Sequence, residues 1–359
     1  MPLLPSDLSR LRLAHQQISV NHLKNPRDVV RWMGAIQAQD FGMSLWAVGV
    51  RLPQAAQSAV LKEIDKGSII RTHLLRPTWH LVAANDVSWL LDLSAPRIRT
   101  LVKSRQRELE LTSAVLKKSA SVMESVLAGG NHLTREQLMA ELRKAKVNTA
   151  GQRSAHLLVW SEIEKIICSG RMAGSKHTYA LFDERIKNQK KRSHDEALMH
   201  LALRYFTSRG PATEQDFANW SGLSRTDVRR SLELSGRKLL RETVDGTEYW
   251  LAEAALSQTR HEDEVYLLPA FDEFIIGYKD RSVVLPTRHQ AAVISVNGMF
   301  WPVIVINGMV TGLWKRSVSP RGVSVELRYF PRVGVARNKA LRERVEAAAE
   351  RVKTFFSKA

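Results

Sequence analysis

A chain of 359 residues can bury a large core and accommodate roughly two to four modules. Its 54 Lys and Arg against 36 Asp and Glu give a formal charge of +18, so a polyanion is the natural partner: DNA would be attracted through counterion release, whereas an anionic membrane more typically needs an amphipathic anchor or a juxtamembrane basic run. No segment approaches a transmembrane span, the N-terminus lacks the charged-then-apolar order of a signal sequence, and the lone cysteine, Cys168, excludes an internal disulfide and suits a reducing cytoplasm.

A first module is expected over residues 1–95. It opens with an amphipathic helix around Leu8, Leu11, His15 and Ile18. Asn25-Pro26-Arg27-Asp28 then reads as a helix start, with Asn25 as N-cap, Pro26 at the first helical position and Asp28 in the positive first turn. Val29, Val30, Met33 and Ile36 form a core-facing stripe at helical spacing. Gln37-Ala38-Gln39-Asp40 follows, and Gln37 projects from the stripe that would otherwise be buried, so its amide needs partners. Residues two apart on a regular helix diverge by roughly 200°; Gln37 and Gln39 therefore meet one ligand only if the helix ends or distorts between them, for which Gly42 offers a place. On spacing alone, the structural reading outweighs the catalytic one, because buried amides are usually satisfied structural groups. A third helix around Val60 to Lys66 leads into strands Ile69 to Leu75 and Thr78 to Val82, joined across Arg76-Pro77. Helix, helix, helix, wing is a DNA-binding order.

A second module, residues 96–195, begins with the basic helical stretch Arg97 to Arg107 and a break at Gly129-Gly130-Asn131. Thr134 with Gln137 makes a capping box, a helix is expected over Ser154 to Ser169, and Gly170-Arg171 with Thr178 to Leu181 supplies a hairpin. The third module, residues 196–263, carries a helix over Thr213 to Trp220, a tight turn at Ser221-Gly222-Leu223-Ser224, and a helix over Arg225 to Leu232. That is a helix-turn-helix pattern, and Asp245-Gly246 marks the tip of a following hairpin. From residue 264 to 359 the period changes to two. Strands are expected at Val265 to Leu268, Ser282 to Leu285, Ala292 to Val296, Phe300 to Ile306, Val310 to Trp314 and Val323 to Phe330, with turns at Asn297-Gly298 and Asn307-Gly308. This suggests an antiparallel β-barrel-like module or curled sheet, closed by a helix from about Asn338 to Phe355.

Basic residues gather at Arg97 to Arg107, Arg185 to Arg192, Arg225-Arg229-Arg230 and Lys315-Arg316-Arg321. Each run alone could be a solvated face; four in one chain favour phosphate contact. His194 and His200 are six apart, which is wrong for two metal ligands on one helical face, and one cysteine excludes a zinc finger. His73 and His80 close hydrogen bonds in the wing or orient a substrate, the structural role being favoured. Cys168, within Ile166-Ile167-Cys168, reads as a buried hydrophobe rather than a nucleophile. Asp272 and Glu273 resemble a carboxylate pair, but neighbours on a strand face opposite ways, so no acid–base role is assigned to them.

Gln37-Ala38-Gln39, Arg71 to Leu74, Thr78 to Val82, Asp272 to Arg281 and Asn307 to Arg316 occur in an order that resembles the AlkZ/YcaQ-like winged-helix DNA glycosylases over nearly the full length. Gln39 at the second polar position, where the YcaQ-like branch carries Asp, resembles the AlkZ-like side. The resemblance implies an α+β fold of tandem winged-helix units in a concave arrangement. It further implies a monofunctional glycosylase that excises N7-alkylated cationic purines and unhooks interstrand crosslinks. Gln37 and Gln39 are then the catalytic pair, Asp40 an electrostatic helper, and Arg76, His80, Arg225, Arg229, Arg230, Lys315 and Arg316 the DNA-contact residues. Double-stranded DNA is the implied partner of a monomer that needs neither cofactor nor metal, working in the cytoplasm at the nucleoid. The rival readings are a non-catalytic winged-helix regulator, which leaves the glutamines unexplained, and a nuclease, which would want clustered carboxylates for metal ions.

Overall fold

The computed structural model describes residues 3–187, 189–252, 264–320, 322–331 and 338–357. Arg321 of the fourth basic run lies outside them. The chain divides into two compact units: Met1–Val60, Leu198–Trp220 and Ser224–Ala359 form one, and Leu61–Ala197 with Ser221–Leu223 the other. The first sixty residues share a unit with the C-terminal sheet.

In the first unit, helix Pro26–Met33 starts as expected: the Asn25 side chain accepts from the Asp28 N–H at 2.9 Å. It stops earlier than expected. Gly34 adopts φ +75° with ψ −53°, a positive-φ backbone open to glycine that breaks the helical run, and Ile36–Gln37 is extended. Helix Phe41–Gly49 then starts afresh, its N-terminus capped by Asp40. Helices Glu214–Ser221 and Arg225–Ser235 follow, the second capped by Ser224, whose Oγ accepts from the Asp227 N–H at 3.1 Å. Strands Leu239–Val244 and Thr247–Ala252 make the expected hairpin. Asp245 and Gly246 at its tip both have positive φ, the backbone of a type I′ turn.

The C-terminal part is an open, four-stranded antiparallel sheet, in the order Gly322–Tyr329, Met309–Ser319, Val303–Ile306, Val265–Leu268. The expected barrel is corrected: the sheet does not close among the described residues. Ser282–Leu285 forms a turn and Gln290–Val293 a helical turn rather than strands, and the Phe300 to Ile306 run begins its strand only after Pro302, which has no N–H to give a ladder. Helix Lys339–Ser357 packs on the sheet, with Phe355 5.1 Å from the Trp46 ring. The Trp46 indole donates to the Leu267 carbonyl at 2.7 Å.

The second unit packs helices Ser113–Leu127, Arg135–Lys144 and Arg153–Ile163 around Met123, Leu127, Leu138, Leu142 and Leu157. The Thr134–Gln137 capping box is formed. The last helix ends before the expected Ser169, because Ile167–Ser169 is a strand in the three-stranded sheet with Leu133–Thr134 and Thr178–Leu181. Strands Ile69–Leu74 and Thr78–Ala83 pair antiparallel across Arg76-Pro77, as expected.

Candidate active site

The glutamine motif occupies the non-helical link between two helices, not a helix end. Only Ile36–Gln37 of it is a strand, and the chain bends at Gln39 and Asp40, so the regular-helix divergence of residues two apart does not apply between Gln37 and Gln39. A buried arginine–carboxylate pair, Arg209 with Glu273, fixes this link. Arg209 donates from Nη1 to the Met33 carbonyl at 2.7 Å and from Nη2 to the Ala35 carbonyl at 2.8 Å. The Glu273 Oε1 accepts the Gln37 backbone N–H at 2.9 Å, and its Oε2 accepts from Arg209 Nη2 at 2.7 Å, Arg209 Nε at 3.0 Å and the Trp220 indole at 2.9 Å. Both charged side chains are fully buried.

Next to it, Asp272 receives both Nη atoms of Arg51 at 2.8 and 2.9 Å, again with complete burial. Arg51 continues to Gln16, Gln16 to the Tyr278 hydroxyl, and that hydroxyl donates to the Arg209 carbonyl at 2.7 Å. Buried charges persist only when nearly every donor and acceptor is matched; this chain of bonds supplies the matches. The strand reading of Asp272 and Glu273 is corrected here. Asp272 caps the short helix Glu273–Ile276, and both carboxylates point into arginines. With their lone pairs committed, neither is placed to act as a general base.

Within the motif, Gln37 is buried and Gln39 and Asp40 are exposed. The Asp40 Oδ1 accepts the Met43 N–H at 3.0 Å, a charged group favourably set at a helix N-terminus. Arg316 reaches the same spot: a Cβ on Gly42 would lie 3.2 Å from its Nη2 and 3.6 Å from Asp40 Oδ1. Its guanidinium lies over the Phe356 ring at 3.7 Å. Burial lowers the Arg316 pKa, with the Asp40 carboxylate opposing the shift. Asp40 and Arg316, singled out separately in the sequence, are therefore neighbours.

The other expected contact residues divide by exposure. Arg225, Arg229 and Arg230 are exposed on helix Arg225–Ser235; the contacts of Arg229 with Glu214 and Arg230 with Glu233, each 3.7 Å, are solvent-bathed and worth little. Lys315 is exposed on its strand, opposite Glu326. Arg76 is half-buried in the turn between the paired strands. His80 is 1 % exposed, with Nδ1 2.9 Å from the Thr78 carbonyl; it is an interior group in this structure. His73 is likewise buried, 2.6 Å from Glu162 and packed on Trp79. In the second basic run Arg185 is structural, donating to the Ser169, Ile64 and Asp65 carbonyls. Sequence reasoning missed Arg209 and Trp220. Nothing local marks either one, because their shared partner Glu273 is 64 and 53 residues away. Among the described residues, no three His, Cys, Asp or Glu side chains form a metal-holding group, and no helix is long and apolar enough to cross a membrane.

The family described as DNA glycosylase AlkZ-like matches residues 30–355. Among curated proteins, the chain is similar to an interstrand DNA cross-link repair glycosylase of Streptomyces sahachiroi, 27% identical over 320 residues, 85% of each chain. Among solved structures, it is similar to the Streptomyces sahachiroi DNA glycosylase AlkZ with a TM-score of 0.82 at 23% identity, covering 99% of this chain and 98% of that one.

Proposed function

Because the chain belongs to the AlkZ-like DNA glycosylase family, we propose that it is a monofunctional glycosylase that excises N7-alkylated purines from duplex DNA, including purines joined in interstrand crosslinks. The observation that supports this most is the anchored, non-helical link that carries Gln37 and Gln39. Alkylation at N7 makes the purine a cation and hence a good leaving group. Water forms a bond to C1′, the C1′–N9 bond breaks with its electron pair passing to the purine, and the water proton leaves to solvent. No general acid is required. The glutamine carbonyl oxygens hold the water and offset charge developing on the sugar, which is positioning and electrostatics rather than strong base catalysis. Asp40 adds negative potential at that sugar.

Three winged-helix units are part of the same proposal, supported by the helix-then-hairpin order before Thr78–Ala83, Thr178–Leu181 and Thr247–Ala252. So is their concave arrangement around the duplex, with Arg76, Arg225, Arg229, Arg230, Lys315 and Arg316 on phosphates and a monomer as the acting form at the nucleoid. A crosslinked base cannot easily leave the stack, so the usual flipping into a snug pocket is not required of this enzyme. The test is to incubate the protein with duplex DNA carrying N7-methylguanine in EDTA. Free base and an alkali-labile abasic site are expected, with no borohydride-trapped protein–DNA adduct. Binding without base release would leave a DNA-binding protein in its place.

A further inference from the structure

Three backbone groups at alternate residues of the glutamine link end on one buried pair: the Met33 and Ala35 carbonyls on Arg209, and the Gln37 N–H on Glu273 Oε1 at 2.9 Å. Gly34 lies between the first two, and a Cβ there would meet Arg204 Cγ at 2.8 Å, so the link has no room for a side chain at that point. Trp220 completes the arrangement. Its indole, 1 % exposed, donates to Glu273 Oε2 at 2.9 Å, and the Arg209 guanidinium lies 4.3 Å from the centre of its ring, a cation–π contact. Arg209 ends helix His194–Arg209, and Trp220 lies in helix Glu214–Ser221, which leads into the arginine-bearing helix Arg225–Ser235. The segment expected to meet DNA therefore also holds the glutamine link.

We propose that Trp220, acting through Glu273, is a positioning residue for base excision: it sets the orientation of the carboxylate that holds the Gln37 backbone, and so where the glutamine carbonyls meet the attacking water. The proposal rests on the glycosylase reading above. A glutamine carbonyl is a neutral, weakly basic acceptor, so what it brings to the reaction is a dipole aimed at one place, and that contribution is lost with small displacements. Glu273 Oε2 takes two Arg209 bonds and the indole, while Oε1 takes the Gln37 N–H. Without the indole only Arg209 draws on Oε2, the carboxylate turns toward it, and Oε1 leaves the Gln37 N–H. Arg209 balances the carboxylate, so the clamp orients Gln37 without adding net charge to the site.

The experiment follows single-turnover release of N7-methylguanine from duplex DNA by the full chain, with the maximal rate constant and the half-saturating enzyme concentration fitted separately. Trp220→Phe keeps most of the ring and removes the N–H; it should lower the maximal rate about tenfold and leave half-saturation within about twofold, the pattern of a lost transition-state geometry. Trp89→Phe is the control, because Trp89 is also 1 % exposed and its indole also donates to a carboxylate, Asp86 at 3.0 Å, but in the other unit. It should leave the rate unchanged. Hydrogen exchange, read by mass spectrometry on the peptide containing residues 35–40, should quicken in Trp220→Phe and not in Trp89→Phe. Should Trp220→Phe fail to fold, Arg209→Lys, which keeps a charge for Glu273 and gives up part of the guanidinium fork, is read against the same expectations. An unchanged rate, a loss carried by half-saturation, or an equal loss in Trp89→Phe overturns the positioning role while the glycosylase reading stands. Release of no base by the parent overturns the glycosylase reading instead. Exchange then decides alone whether Trp220 holds the link: quickening in Trp220→Phe supports it, and unchanged exchange refutes it.

Discussion

Glu273→Gln should destabilise the protein by about 3–5 kcal/mol, the cost of breaking a buried ion pair by removing one partner. The figure follows from the site: Arg209 and Glu273 are both fully buried, and the Glu273 carboxylate takes two guanidinium bonds, the Trp220 indole and the Gln37 N–H. A glutamine there keeps the volume but turns an NH2 toward donors. Replacing both charges, Glu273→Leu with Arg209→Leu, often restores stability in other buried pairs. Here it should not, because the Gln37 N–H, the Trp220 N–H and the Met33 and Ala35 carbonyls would lose partners, at about 1–3 kcal/mol for each buried group. Urea unfolding followed by far-UV circular dichroism checks both variants. Gln39→Ala serves as a control and should stay within about 0.5 kcal/mol of the parent, since the residue is exposed. A Glu273→Gln protein within about 1 kcal/mol of the parent, or a double variant as stable as the parent, would show that this pair does not anchor the motif.

Duplex affinity should fall steeply with salt, and Arg229→Ala with Arg230→Ala, or Lys315→Ala with Arg316→Ala, should lower the log–log slope by roughly one to two units; fluorescence anisotropy across a salt series measures it, and salt-independent binding would argue for a protein partner. Cys168 is fully buried and burial pushes its thiol up to about 12, so iodoacetamide should leave the native protein unlabelled and label it promptly in guanidinium; rapid native labelling would contradict this. Burial, with Arg71 nearby, lowers the His177 pKa to about 4. The unfolded chain therefore takes up a proton that the folded chain refuses, and stability should fall as pH drops from the ordinary histidine value toward about 4. His177→Gln should flatten that part of the stability profile, and an unchanged profile would exclude the group as its source.

Signals that act within a few residues were readable in the sequence. Asn25 and Pro26 start a helix, Thr134 and Gln137 box another, Ser224 caps a third, and Asp245-Gly246 and Asn307-Gly308 turn hairpins. The end of the glutamine-bearing helix was not, because Val29, Val30 and Met33 are buried as a helical stripe and Ala35 to Ala38 are buried as an extended link. An apolar run continuing past Gly34 looks the same in either case. The roles of Asp272 and Glu273 were hidden for another reason: their partners Arg51, Arg209 and Gln37 are distant in sequence. His80, a DNA-contact residue only by resemblance, lies on an interior face, in keeping with the structural role that its place in the wing favoured. Closure of the sheet depended on pairing between its first and last strands, which no local pattern encodes.

The central claim is that the two glutamines perform the chemistry and do not merely hold the DNA. Single-turnover release of N7-methylguanine by Gln37→Ala, Gln39→Ala and Gln39→Asp, each paired with its duplex affinity, tests it most directly. Each alanine variant should release base at least about tenfold more slowly, ~1.4 kcal/mol of transition-state stabilisation, with affinity nearly intact, and Gln39→Asp should retain more activity than Gln39→Ala because a carboxylate can polarise the water or stabilise the developing cation. Alanine variants that excise as fast as the parent would contradict the account.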